Sequence, residues 1–235
     1  MTYSSSLSDE TVALVLDTSV LINLHASRRG VDILTAIPNP IVVSHIVAGE
    51  LDHETSRRNG EEAFLRALSA AGHVTLVDLS EEEFEMFFEL ASASSSLDDG
   101  EAATIAIARA RGLVPVIDER RGRSRAKAIM GVEPAWSLDL LLHPTTTARL
   151  GVDPSRDALF LALRDGRMRI PPESSPQVVD IIGDERAKHC TCLPGYTHLF
   201  ESQETSRQRD LTAPSRRLEG SPATTSIGDR RGDRD

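Results

Sequence analysis

The stretch T-V-A-L-V-L-D-T-S-V-L-I-N-L, residues 11–24, constrains the fold more than any other part of the chain. An unbroken apolar run ends at Asp17, and the apolar residues beyond Thr18 and Ser19 recur at helical spacing. It therefore reads as a buried strand passing directly into a helix, with a carboxylate at the strand's C-terminal end. In open α/β sheets ligands bind at that place, because helix N-termini and loop backbone converge there and leave a crevice.

The same alternation repeats along the chain. Short apolar or β-branched runs at residues 41–44, 73–79 and 113–117 predict three more strands, the last ending in Asp118. Between them the spacing predicts helices over 28–36, 45–55 (carrying Glu50), 59–71 and 80–91, the last opened by a capping box of Ser80 and Glu83. Phe84, Phe87 and Phe88 of that helix are expected in the core. The segment L-D-D-G-E-A-A-T-I-A-I-A-R-A-R-G, residues 97–112, predicts a helix with Asp98 at its N-cap and Gly112 at its C-cap. The segment E-R-R-G-R-S-R-A-K after Asp118 reads as a basic loop, and further helices are expected over 137–142, 153–166 and 176–182.

Strands alternating with amphipathic helices predict an α/β fold, a parallel-sheet α/β/α sandwich with a C-terminal helical appendage. The expected organisation is a loose lead-in over 1–10, a main α/β domain over 11–142, a helical extension over 143–183 and a disordered tail over 184–235.

With 26 basic and 36 acidic residues the net charge is -10, so nucleic acid would be repelled by the surface as a whole and needs a local basic patch or a metal ion. No run is long and apolar enough to span a bilayer, and Cys190 and Cys192 offer no disulfide framework, which leads to the expectation of a cytoplasmic protein with no membrane partner.

Four acids occupy corresponding places. Asp17 and Asp118 end two strands, while Glu50 and Glu101 sit early in the helices that follow others. A parallel sheet brings strand ends and helix starts to one edge. Clustered carboxylates repel one another unless a cation neutralises them. An all-oxygen set favours Mg²⁺ or Mn²⁺, which hold a phosphodiester and activate water. Arg120, Arg121, Arg123 and Arg125 would supply positive charge for the phosphate backbone beside that pocket.

The runs V-L-D-T-S-V-L-I-N-L, S-H-I-V-A-G-E-L, L-D-D-G-E-A-A-T-I-A-I-A and V-I-D-E-R-R-G-R resemble the PIN domain, in the VapC-like subgroup with L-D-x-G-E and D-E-R-x-G-R motifs. The resemblance implies a metal-dependent endoribonuclease acting on RNA, the toxin of a toxin-antitoxin pair. Asp17, Glu50, Glu101 and Asp118 would be its catalytic, metal-binding acids, with Ser19 in support. Glu101 stands where an Asp is more usual, leaving Asp98 and Asp99 as further contributors. A cognate antitoxin and a homodimer are the partners the resemblance implies.

Other readings compete. Asp17, Asp118 and Glu101 each fit ordinary helix capping. A zinc site from His45 and His53, or from H-C-T-C with His198, has poor ligand spacing. Trp136 and Tyr196 are too isolated for a base-stacking platform. A haloacid-dehalogenase-type phosphatase needs a second Asp two residues after the first, where Ser19 stands. The remaining rival is a PIN-like module that binds RNA or protein without cutting.

Overall fold

The computed structural model describes Leu7, residues 9–92 and residues 97–201, without the side chains of His198 and Glu201. Among these, the elements in order are β1 (Leu14–Leu16), α1 (Thr18–Ala26), α2 (Gly30–Ala36), β2 (Ile41–Ser44), α3 (His45–Glu50), α4 (Glu54–Asn59), α5 (Glu61–Ala70), β3 (Thr75–Val77) and α6 (Glu81–Ser92). There follow α7 (Asp99–Arg111), β4 (Val114–Val116), α8 (Arg120–Met130), α9 (Ser137–Leu141), α10 (Pro144–Leu150), α11 (Val152–Arg164), α12 (Ser175–Ile182) and α13 (Asp184–Ala187).

The four strands pair in parallel in the order β3-β2-β1-β4. In register Leu14 faces Ile41 on one side and Val114 on the other, and Leu16 faces Val116. The chain builds outward from β1 through β2 to β3, then returns to add β4 on the other side of β1. This reversal opens a crevice between the carboxyl ends of β1 and β4. Pro115 is tolerated because β4 is the outer strand, extended only by Ala135, whose N–H bonds Pro115 O at 2.9 Å.

Alternation along β1 divides the core. Leu14 and Leu16 pack with Val20, Leu21 and Leu24 of α1, whereas Val15 packs with Ile107 and Ala108 of α7 on the opposite face. Both faces being covered explains why the strand reads as a continuous apolar run. Leu159, Ala162 and Leu163 of α11 and Val178 and Ile182 of α12 join the β1–α1 side, so the C-terminal helices pack back on the sheet.

Several expectations change. The basic segment after Asp118 is the start of helix α8, not a loop. Its buried positions are Gly122, Arg123 and Ala126, of which the two small residues permit close approach but give little apolar signal. Phe84 and Phe88 are 54% and 62% exposed, not core. On α6 the inward stripe is Met86, Phe87, Leu90 and Ala91, and Phe84 and Phe88, one turn apart, fall off it. The helix expected over 45–55 ends at Glu50, and α4 begins separately at Glu54. Ordered packing also continues past residue 184, where a tail was expected. Ala187, Cys190 and Leu193 are at most 3% exposed and join the main core. Residues 93–96, most of the lead-in and the chain beyond Glu201 lie outside the described residues. No helix among the described residues is long and apolar enough to cross a membrane.

Candidate active site at the β1–β4 crevice

Asp17 directly follows β1 and caps α1. Its Oδ2 accepts the Ser19 hydroxyl at 2.7 Å and the Ser19 N–H at 3.3 Å, while Oδ1, buried, has no hydrogen-bond partner. Capping and availability to a cation thus coexist in one carboxylate, one oxygen serving each.

Asp118 lies two residues beyond β4 and is 2% exposed. Both of its oxygens are engaged: Oδ2 accepts Asn23 Nδ2 at 2.7 Å and Oδ1 accepts the Ser137 N–H at 2.8 Å, at the start of α9. The two donors fix the carboxylate's plane in the crevice.

Glu101 stands in the first turn of α7, 3% exposed, with Oε1 unpartnered. Asp98, the N-cap, accepts the Glu101 N–H at 2.8 Å, which confirms the cap expected from sequence. The backbone of Gly122 presses on the Glu101 carboxylate, so that a Cβ there would lie 2.7 Å from Glu101 Cδ. The glycine of the D-E-R-R-G-R motif is therefore a requirement of close approach.

Glu50 is placed differently. At the end of α3, its Oε1 accepts the Gly100 N–H at 2.7 Å and its Oε2 accepts the Thr18 hydroxyl. A Cβ on Gly100 would lie 2.6 Å from Thr18 Oγ1, which explains the glycine of L-D-D-G-E. Glu50 ties the starts of α1 and α7 together, beside the exposed Asp98 and Asp99.

The electrostatics agree with this geometry. Burial, with smaller contributions from Asp98, Asp17 and Glu119, pushes the Glu101 carboxyl up to about 8. Burial also raises Asp17 to about 7, with Asp98 adding and Ser19 opposing, and raises Asp118 to about 6 against the hydrogen bonds from Ser137 and Asn23. Glu50 is raised too, chiefly by burial. Native carboxyls that hold protons more tightly than the unfolded chain stabilise the fold at low pH and lose that contribution as pH rises through their folded values. With Asp17, Glu101 and Asp118 all raised, metal-free protein is expected to melt roughly 6 to 12 °C lower at pH 8 than at pH 5, a loss on the order of 3 kcal/mol. Adding Mg²⁺ at pH 8 should recover part of it, and a flat melting profile in chelator would contradict the burial of these charges.

The arginines divide. Arg120, Arg121 and Arg125 line a cavity of about 750 Å³ with Asp98, Glu101 and Glu119. Arg123, expected to bind substrate, is instead 8% exposed and turned inward. Its guanidinium donates to Ile117 O at 2.7 Å, Ala135 O at 2.8 Å and Pro134 O at 2.7 Å, and lies 3.5 Å from the Trp136 ring centroid. It seals the edge of β4, where three carbonyls need a planar fork of donors.

Among the described residues no three His, Cys, Asp or Glu side chains converge as a ready metal-ligand set. His45 and His53 are exposed and far from a zinc grouping, while Cys190 and Cys192 are free. The acids nevertheless fit a hard divalent cation on one observation, the buried and unpartnered oxygens Asp17 Oδ1 and Glu101 Oε1. Residues the sequence did not single out complete the site. Asn23 is a polar residue on the apolar stripe of α1, a recognisable anomaly, whereas Thr18, Ser137 and Glu119 carry no distinguishing local signal.

A family model described as a PIN domain matches residues 13–184. No curated protein and no solved structure matches the chain significantly. A match over most of the chain, on a parallel sheet with acids at the switch crevice, means that this chain belongs to the PIN-domain family, whose members are generally nucleases acting on nucleic acid.

Proposed function

We propose that the protein is an Mg²⁺- or Mn²⁺-dependent endoribonuclease of the VapC-like kind, hydrolysing RNA phosphodiester bonds as the toxin of a toxin-antitoxin pair. The observation that carries the catalytic part is the pair of buried, unpartnered carboxylate oxygens on Asp17 and Glu101 beside an arginine-lined cavity. The toxin role, a cognate antitoxin and a homodimer rest on the motif resemblance.

Asp17 and Glu101 would hold the cation, with Asp118 contributing from a carboxylate already oriented by Asn23 and Ser137. When bound, such an ion activates water and stabilises the charge that develops on the phosphate. The chain's own residues orient and attract. Ser19 keeps Asp17 turned so that Oδ1 is available, Glu50 braces the starts of α1 and α7, and Arg120 and Arg121 bring the phosphate backbone to an otherwise anionic protein.

A second reading, a PIN-like module that binds without cutting, draws on the full engagement of both Asp118 oxygens. One experiment separates the two. Purified protein is incubated with structured and single-stranded RNA in Mg²⁺ or Mn²⁺ and in chelator. Cleavage in metal and none in chelator is expected, and RNA left intact under every condition would favour the non-cutting module.

A further inference from the structure

Past α11 the chain runs through G-R-M-R-I, residues 166–170, without regular secondary structure. Met168 and Ile170 are 1% and 3% exposed and enter the main core, while Arg167 and Arg169, which alternate with them, are exposed. Gly166 is pinned, because a Cβ there would lie 2.7 Å from Asn23 Oδ1 and 2.8 Å from Ala162 O. Asn23 is the residue that donates to Asp118, so this segment is seated on the group that orients a site carboxylate. Arg167 holds φ 55, a left-handed conformation that costs a non-glycine residue energy and is concentrated at functional positions.

Both arginines line a cavity of about 590 Å³ with Ser19, Asn23, Asp118 and Glu119. Arg169 also lines the cavity of about 750 Å³ that holds Glu101 and the α8 arginines. The two cavities meet at Glu119 and Arg169, which are paired at 2.9 Å. Being exposed, this pair is weak enough to exchange for a phosphate. The cations thus lie on both sides of the acids instead of converging on one point. That distribution suits a chain of phosphates, not one compact anion. The acids lie below the surface, 2–3% exposed, where a strand able to bend into the crevice reaches them and a stiff duplex does not.

We propose that Arg167 and Arg169 clamp the RNA backbone on the Asp118 side of the acid pocket, so that a single strand crosses from the cavity beside α8 to the cavity beside residues 166–170. This rests on the nuclease reading and adds the two residues that hold the substrate's backbone and the path it takes. The segment lies outside the four motifs, so its arginines are a property of this chain's C-terminal part.

The test uses full-length Asp17→Asn protein in Mg²⁺, binding a fluorescent single-stranded oligoribonucleotide followed by anisotropy over a range of salt. Into it are placed Arg167→Gly, which suits the left-handed backbone, and Arg169→Gln. Arg28 and Arg29 provide a matched control: Arg28 is the other non-glycine residue with positive φ among the described residues, and both line a cavity containing none of the site acids. The clamp pair is expected to weaken binding about tenfold and to lower the salt slope by roughly 1.4, at about 0.7 per lost cation on a single strand. Arg28→Gly with Arg29→Gln should leave both within error, and melting curves verify that all variants fold. If the clamp variant keeps the parent's affinity and slope, the clamp is wrong while the nuclease reading stands. If the parent binds no RNA and the unmodified protein cuts none, both fall.

Discussion

Asp17→Asn is expected to abolish metal-dependent RNA cleavage, by about a thousandfold or more in single-turnover rate, while raising thermal stability. Asparagine keeps the size of the side chain and an oxygen to accept from Ser19, so the start of α1 is preserved. What it removes is a charge in a pocket where burial already holds Asp17 up at about 7 and where Asp17 in turn raises Glu101. In chelator at pH 8 the variant should therefore melt roughly 5 °C above the unmodified protein, because the desolvated charge and its repulsion of Glu101 are gone. The combination is diagnostic. A damaged fold would lose activity and stability together. Retention of cleavage within about tenfold of the original rate would remove the acid pocket from the chemistry.

Arg123→Ala should act in the opposite sense, through the fold. Removing the guanidinium leaves the carbonyls of Ile117 and Pro134 without a donor in a buried setting, leaves Ala135 O with only the Ile117 N–H, and empties the space against Trp136. Orphaned buried acceptors and the lost packing together should cost about 3 kcal/mol, or roughly 6 to 12 °C in melting temperature for a chain of this size. Arg123→Lys should recover only part of the loss, since a single ammonium cannot serve three carbonyls in the planar arrangement. Were Arg123→Ala to melt like the unmodified protein and weaken only RNA binding, the buried geometry would be wrong. The exposed Arg120 and Arg121, by contrast, should be replaceable with little change in melting.

The two arginine outcomes mark where local sequence stops being informative. R-R-G-R-S-R carries a run of charges that reads as solvated and flexible, since arginine is rarely buried without partners. Its partners are carbonyls just past β4 and on the segment beside it, brought within reach only when α8 packs with Gly122 against Glu101. The phenylalanines of α6 fail for a related reason. Phe84, Phe87 and Phe88 look alike in sequence, but the helix's rotation about its axis, set by its packing on α7, buries one edge of that cluster and leaves Phe84 and Phe88 outside. Residues 187–193 looked like tail because their few apolar side chains have no period of their own. They are ordered by surfaces that α11 and α12 provide.

The sequence by itself determined the parallel sheet, the helices over its faces and the placement of Asp17 and Asp118 at strand ends, because apolar period and helix capping are decided within a few residues. Only the tertiary structure decided what each carboxylate does. Asp118 is engaged by Asn23, a residue 95 positions away, Glu50 by Gly100, 50 positions away, and Asp17 and Glu101 each keep one oxygen unpartnered. Whether a buried oxygen is satisfied or available depends on donors from distant segments, and no local pattern records which donors those are.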